Sequence, residues 1–212
     1  MKNAIGLSLL LTAATLSGCK ATVETEVTVL DLFYSKTRMI SADLHTEVTD
    51  CEGAAAARSA EVSAIFADAE YLGCASDEGR DVAHFRIPIA LDKELDGRLA
   101  SEEHINLVST EDAFLVLTIP PALKERLTTP AGRALRAGTL PLDVRIRIDN
   151  DHGNAIPIQV FSVYVDGEPF LFGDTQIPKA GAIVLRLSEV AIDHAIEKGS
   201  SVLLMRERKE ES

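Results

Sequence analysis

Residues 22–32 read TVETEVTVLDL. Val23, Thr25, Val27 and Val29 alternate with Glu24, Glu26 and Thr28. A period of two puts one set on an apolar face and the other in water, which is the pattern of a half-buried β-strand. Ser35-Lys36-Thr37 reads as a turn, and Met39 to Val48 (MISADLHTEV) repeats the alternation, so the two stretches are expected to pair antiparallel. Asp50 then stands where it can cap a helix. Gly53 to Ala69 is rich in alanine, with Val62, Ile65, Phe66 and Ala69 at helical spacing on one face. Tyr71 to Ala75 is short and strand-like.

The same reading extends along the chain. Val82 to Leu91 puts Phe85, Ile87, Ile89 and Leu91 on one face, and Pro88, which has no N–H, suggests an edge or a bulge. Residues 92–103 are polar and contain Gly97, which makes them the best candidate for a domain boundary. His104 to Ser109 and Ala113 to Ile119 predict a hairpin across Thr110-Glu111-Asp112. Pro120 and Pro121 stop that strand and start a helix with Leu123 and Leu127 inward. A further turn is expected from Thr129-Pro130 to Ala137, stopped by Gly138.

Leu142 to Ile148 alternates again, with Arg145 and Arg147 on the outer face. Ile156 to Val165 is a strand, and Asp166-Gly167 is a two-residue hairpin signal before Pro169-Phe170-Leu171-Phe172. Ile183 to Leu187 is another strand. Ser188 caps a helix that Gly199 ends after Lys198, and Val202 to Met205 closes the fold. This gives nine or ten strands and about three helices, with no regular βαβ series. The expected class is α+β with antiparallel or mixed sheets, with room for two small subdomains.

The 212 residues carry a formal charge of −12, with 46% hydrophobic and 25% charged residues. That is a globular composition. An acidic surface repels nucleic acid and anionic headgroups, so no nucleic-acid partner is expected.

At the N-terminus Met1-Lys2-Asn3 is followed by an uncharged run from Ala4 to Leu16. Thirteen residues cannot span a bilayer, which takes roughly 20, but they suit the apolar core of an export signal. The run ends in Leu16-Ser17-Gly18-Cys19, which resembles the lipobox of bacterial lipoproteins. The resemblance covers residues 1–19. It implies cleavage before Cys19, a diacylglyceryl group on its thiol and an acyl chain such as palmitate on its new amine. Two or more chains hold a protein stably at a membrane. Lys20 stands where an Asp retains Gram-negative lipoproteins at the inner membrane, so the resemblance implies the outer membrane, with the domain in the periplasm. Beyond the lipobox, the chain looks like the small uncharacterised lipoproteins of bacteria and phages.

The expected organisation is a signal peptide at 1–18, an α+β subdomain at 19–100, a strand-rich α+β subdomain at 101–206 and a charged tail at 207–212. With Cys19 lipidated, Cys51 and Cys74 form an even pair, and an oxidising envelope predicts a disulfide between them. The alternative, a metal pair, lacks a neighbouring histidine in the sequence.

Residues 149–154 (DNDHGN) are the most site-like cluster, yet they miss the calcium-loop spacing and match ordinary turn chemistry. The five histidines, His45, His84, His104, His152 and His194, are scattered. No serine elbow, zinc helix or phosphate loop is present in the sequence. The expectation is therefore no catalytic residues, no metal, no cofactor and no enzyme. Arg145 and Arg147, with Arg133 and Arg136, suggest either an acidic partner or a solvated face balanced by neighbouring acids. The function expected is a membrane-anchored, non-enzymatic interaction or structural module with an envelope protein partner. A lipid or small-ligand carrier, or a hydrolase using His152 and Asp149, stand as alternatives.

Overall fold

The computed structural model describes residues 21–34, 36–77, 79–93, 99–130, 132–133 and 142–206. The signal peptide, Cys19, Arg136 and the tail at 207–212 lie outside the described residues, as does most of the turn expected after Pro130. Eleven strands form one sheet: β1 (Ala21–Thr28), β2 (Arg38–Val48), β3 (Glu70–Asp77), β4 (Arg80–Lys93), β5 (Ile105–Ser109), β6 (Ala113–Thr118), β7 (Asp143–Asp149), β8 (Ile156–Val165), β9 (Glu168–Ile177), β10 (Ala182–Leu187) and β11 (Ser200–Arg206). Four short helices accompany them: α1 (Val29–Tyr34), α2 (Ala54–Ile65), α3 (Pro121–Thr128) and α4 (Glu189–Lys198).

The sheet closes. Its order is β10-β7-β1-β2-β4-β5-β6-β11-β8, and β8 also pairs β10, while β9 hangs from β8 and β3 from β4. This overturns the expected α+β class with about three helices. Strand accounts for 54% of the described residues, and nine strands make a single closed barrel. The polar stretch 92–103 does not separate two sheets, because β4 and β5 pair in parallel on either side of it, from Ile89↔Ile105 to Lys93↔Ser109. Closing the ring leaves no open face for helices to cover, so they remain short.

Closure has a geometric condition. Seven joints round the ring are antiparallel and two are parallel. Straight strands close only with an even number of antiparallel joints, so one strand has to turn. β8 is that strand. Its first half, Ile158 to Val160, pairs β11, and its second half, Val163 to Val165, pairs β10. Ser162 lies between them with φ +50°, an uncommon conformation for a residue with a side chain, and its carbonyl accepts from the N–H of Ser188. Corners of orthogonal barrels are built by such switching strands.

The alternation read from residues 22–28 holds. Ala21, Val23, Thr25 and Val27 face inward and are buried. The strand nevertheless stops at Thr28, and residues 29–34 are helix. Thr28 Oγ1 accepts from the Asp31 N–H and Asp31 Oδ2 accepts from the Thr28 N–H, both at 3.1 Å. This reciprocal capping starts α1, whose Val29 and Leu32 fold back into the core and whose Phe33 packs edge-on against Phe114 at 5.2 Å.

Pro88 is also placed differently from the sequence reading, in an inner strand opposite Ser41 of β2. On its other side β3 pairing has ended at Arg86 and β5 pairing has not begun until Ile89, so the missing N–H costs no ladder bond. The other local signals hold. The β5–β6 hairpin forms, Pro121 opens α3, Ser188 Oγ accepts from the Ala191 N–H and Gly199 closes α4 at φ +92°. Asp50 Oδ1 accepts from the N–H groups of Gly53 and Ala54 at 2.6 and 3.2 Å and so caps α2.

The interior is filled by side chains. Phe85, Ile87, Leu44, Ile146 and Leu115 are essentially inaccessible, and burying each such side chain contributes about 2–3 kcal/mol. The apolar cavity among Val23, Leu107, Ile146, Leu127 and Ile192 is about 40 Å³, against roughly 300 Å³ or more for a small-molecule pocket.

Cys51, just before α2, and Cys74, on β3, are disulfide-bonded with Cα atoms 5.5 Å apart and a sequence separation of 23. β3 pairs β4 alone, so the bond ties the outermost strand on this side to the helix that precedes it. Replacing both cysteines by alanine is expected to lower stability by about 3 kcal/mol, read as a lower denaturant midpoint with the barrel's circular dichroism retained. An unchanged midpoint would show that the bond constrains nothing in the unfolded chain.

Candidate functional site

Inward alternation forces an outward set, and on β10, β7, β1, β2, β4 and β3 that set is charged. One cross-strand row runs Arg186–Arg145–Glu24–Asp43–Arg86–Glu70. Arg145 donates to Asp143 at 2.7 Å and to Glu24 at 3.0 Å, and Arg186 reaches Asp143 at 3.2 Å. Asp143 is only 6% exposed, so two guanidinium groups compensate one buried carboxylate. Arg147 donates to Asp149 at 2.6 Å and lies 3.9 Å from Glu26, Arg80 meets Glu47 at 2.9 Å, and Arg86 meets Glu70 at 3.3 Å.

The Arg145/Arg147 stripe is thus a face balanced by its own acids. Arg133 stands apart and donates to the Thr128 carbonyl. The hydrogen bond from Arg147 holds Asp149 below the usual carboxylate range, while the neighbouring Asp149 raises Glu26.

The next row on this face is Thr22–His45–His84, with Gly73 of β3 beyond it. His84 Nε2 and His45 Nδ1 are 2.5 Å apart and the rings meet edge to face, centroids 3.8 Å apart. A surface hollow of about 460 Å³ lies over the pair, bounded also by Glu24, Glu47, Arg80 and Arg145. Burial, then the charge of His84, lowers the His45 imidazole from its ordinary value, partly opposed by Glu24 and Asp43.

The cluster at 149–154 does structural work. Asn150, 7% exposed, donates through Nδ2 to the carbonyls of Asn154 (2.7 Å), Pro178 (2.9 Å) and Ile177 (3.3 Å) and accepts from the His152 N–H at Oδ1. Asp151 Oδ1 accepts from the Leu30 N–H at 2.9 Å, and the His152 ring lies 5.5 Å from Phe33. The loop therefore holds the β7 end, the β9 end and α1 together.

A Ser/His/Asp grouping that sequence reading did not pick out occurs before β5. Ser101 Oγ is 2.8 Å from His104 Nδ1, and His104 Nε2 is 3.7 Å from Asp68. Asp68 is 84% exposed at its side chain, and Ser101 Oγ accepts from the N–H groups of Glu103 and His104. Buried Asn106 donates to the Ser101 and His104 carbonyls. These bonds describe a capped turn. The serine and the carboxylate also sit on the opposite imidazole nitrogens from those a nucleophile and its orienting acid use.

Among the described residues no three His, Cys, Asp or Glu side chains stand close enough together to hold a metal ion. No helix of the described residues is long and apolar enough to cross a membrane. His194 is exposed on α4. Of the histidines only His45 and His84 meet, and no sequence signal finds them, because they are 39 residues apart and only the β2–β4 register joins them.

Two outcomes test this description. Asn150→Ala should destabilise the protein by about 1–3 kcal/mol, because it leaves buried carbonyls without a donor, and equilibrium unfolding measures it. His45 takes up a proton more readily in the unfolded chain than in the folded one. Its contribution is therefore complete above about pH 6.5 and is lost as pH falls through that value toward its lower folded one. The unfolding midpoint should drop more between about pH 7.5 and 5.5 in the native protein than in His45→Gln, and equal slopes would remove His45 from the account.

No curated protein and no solved structure matches the chain. One family model does, over residues 21–210, and its description is a domain of unknown function, DUF7424. That span takes in the whole barrel, the four helices α1 to α4 and both histidines of the outer row, and the chain belongs to the DUF7424 family.

Proposed function

We propose that this protein is an acylated envelope lipoprotein, anchored through Cys19, whose barrel is a non-enzymatic interaction module for another envelope protein. The observation that carries the reading is the free side of β9. Among the described residues β9 pairs β8 alone. Its Leu171 and Phe172 are 85% and 61% exposed, and Phe172 packs on Phe161 of β8 at 5.3 Å between centroids. Val202 of β11 adds a further exposed apolar side chain. Exposed strand edges are normally blunted by charge or covered. An edge that instead presents adjacent large apolar side chains suits addition of a partner strand, with main-chain bonds giving affinity and side chains giving selectivity.

The anchor rests on the lipobox at residues 16–19; the family match starts two residues after Cys19. The first strand begins at Ala21, so the tether is short and the barrel lies close to the headgroups. Lys20 favours the outer membrane, and the charge of −12 leaves membrane attachment to the lipid. A carrier role finds little support in a barrel whose cavity is about 40 Å³. A hydrolase role for Asp149 and His152 competes with the structural work of their loop.

In-cell cross-linking with mass spectrometry tests both parts. Labelled palmitate should enter the native protein and be lost in Cys19→Ala. One envelope protein should be captured by the native chain and lost in Leu171→Asp/Phe172→Ser, with folding unchanged. No acyl label at Cys19 would remove the anchor, and capture that survives the β9 variant would remove the edge.

A further inference from the structure

The His45–His84 pair is not accounted for by the barrel's stability or by the β9 edge. We propose that these two imidazoles form a two-point site for a borderline-soft divalent cation, Cu²⁺ or Ni²⁺ in preference to Zn²⁺, on the outer face of the barrel.

Four observations carry this. First, the two residues are directly opposed in an antiparallel ladder that runs unbroken from Arg38↔Leu91 to Val48↔Asp81. The inward pairs on either side, Leu44–Phe85 and Thr46–Ala83, are buried. The two Cα positions are therefore held by packed core, which is the rigidity a chelate needs.

Second, one nitrogen of each ring points at the other, 2.5 Å apart. Two metal–nitrogen bonds of about 2.0–2.1 Å at a right angle need an N···N distance of about 2.9 Å, and a tetrahedral angle needs about 3.3 Å. For adjacent positions of a tetragonal ion, the geometry of Cu²⁺ and Ni²⁺, the pair must open by about 0.4 Å and each ring must turn so that its lone pair aims at the ion rather than at the other nitrogen.

Third, the site is open where a cation would enter. The next residue of the row is Gly73, and a Cβ built there meets nothing within 4 Å, and the hollow of about 460 Å³ lies above.

Fourth, two of the neighbouring carboxylates are engaged elsewhere. Glu24 accepts from Arg145 and Glu47 from Arg80. The protein thus supplies two imidazole nitrogen donors, with water completing the shell, which imidazole-preferring ions accept and hard oxygen-seeking ions do not.

The purified protein is titrated with Cu²⁺ and read by electron paramagnetic resonance and by calorimetry. One copper per chain should bind first, with a tetragonal spectrum carrying the splitting of two imidazole nitrogens. His45→Gln and His84→Gln should each weaken that binding by about tenfold or more, since a chelate becomes a single contact, and should leave one nitrogen in the spectrum. His194→Gln, on exposed α4, should change neither readout. Copper affinity that is the same in His84→Gln as in the native protein overturns the proposal, and so does a spectrum with no imidazole nitrogen. Unchanged circular dichroism in the variants keeps misfolding from producing either result.

Discussion

A ring of nine strands with seven antiparallel joints closes only if one strand turns, and everything else in this molecule is arranged around the turn in β8. At Ser162 the backbone takes a positive φ, and the strand passes from pairing β11 to pairing β10. Such a conformation costs on the order of 1–3 kcal/mol in a residue with a Cβ. What offsets it is the pairing of two strand edges that would otherwise stay open. β10, α4 and β11 follow one another along the same side of β8, so the helix between them spans the corner. The capping of α4 by Ser188 serves that corner directly, because the Ser188 N–H also bonds the Ser162 carbonyl.

Closure then divides the chain into two chemistries. The inward residues form a dry core in which Thr25 and Thr46 are among the few polar members. The outward residues of six strands form a lattice of acids and guanidinium groups. Most of these pairs are exposed and contribute little each. Asp143 differs, because it is buried and its charge depends on Arg145 and Arg186. A face organised in this way neutralises its own positive groups. The histidine row carries its ion pairs at Asp143 of β7, and a ligand site fits at its two imidazoles on β2 and β4.

Two strands remain outside the ring, and they are treated differently. β3 exposes Tyr71 and Leu72 in part, but it is held at Cys74 by a disulfide to the chain before α2 and places Glu70 on Arg86. β9 has no such restraint and carries Leu171 and Phe172 into solvent. The contrast between a fastened edge and a greasy one is the physical basis for assigning partner binding to β9 rather than to the other side of the molecule.

Much of the local structure was legible in the sequence, because periodicity and capping act over a few residues. Residues 22–28, 39–48 and 142–148 declare their inward and outward faces. Pro121, Ser188 and Gly199 mark helix ends, and Asp166-Gly167 marks a hairpin. The cysteine pair was readable from compartment and count. The Thr28–Asp31 capping box was also readable, but it lay hidden behind an alternation that ran on through Val29. The sequence by itself determined which strand faces lie inside, where several helices start and stop, and that two cysteines pair. The tertiary structure alone decided that the strands close into one barrel, that Pro88 sits opposite a gap between β3 and β5, that Asn150 ties a loop together, and that His45 meets His84. The physical reason is that strand order and register are set by pairings between residues tens of positions apart, which leave no periodic trace in either partner.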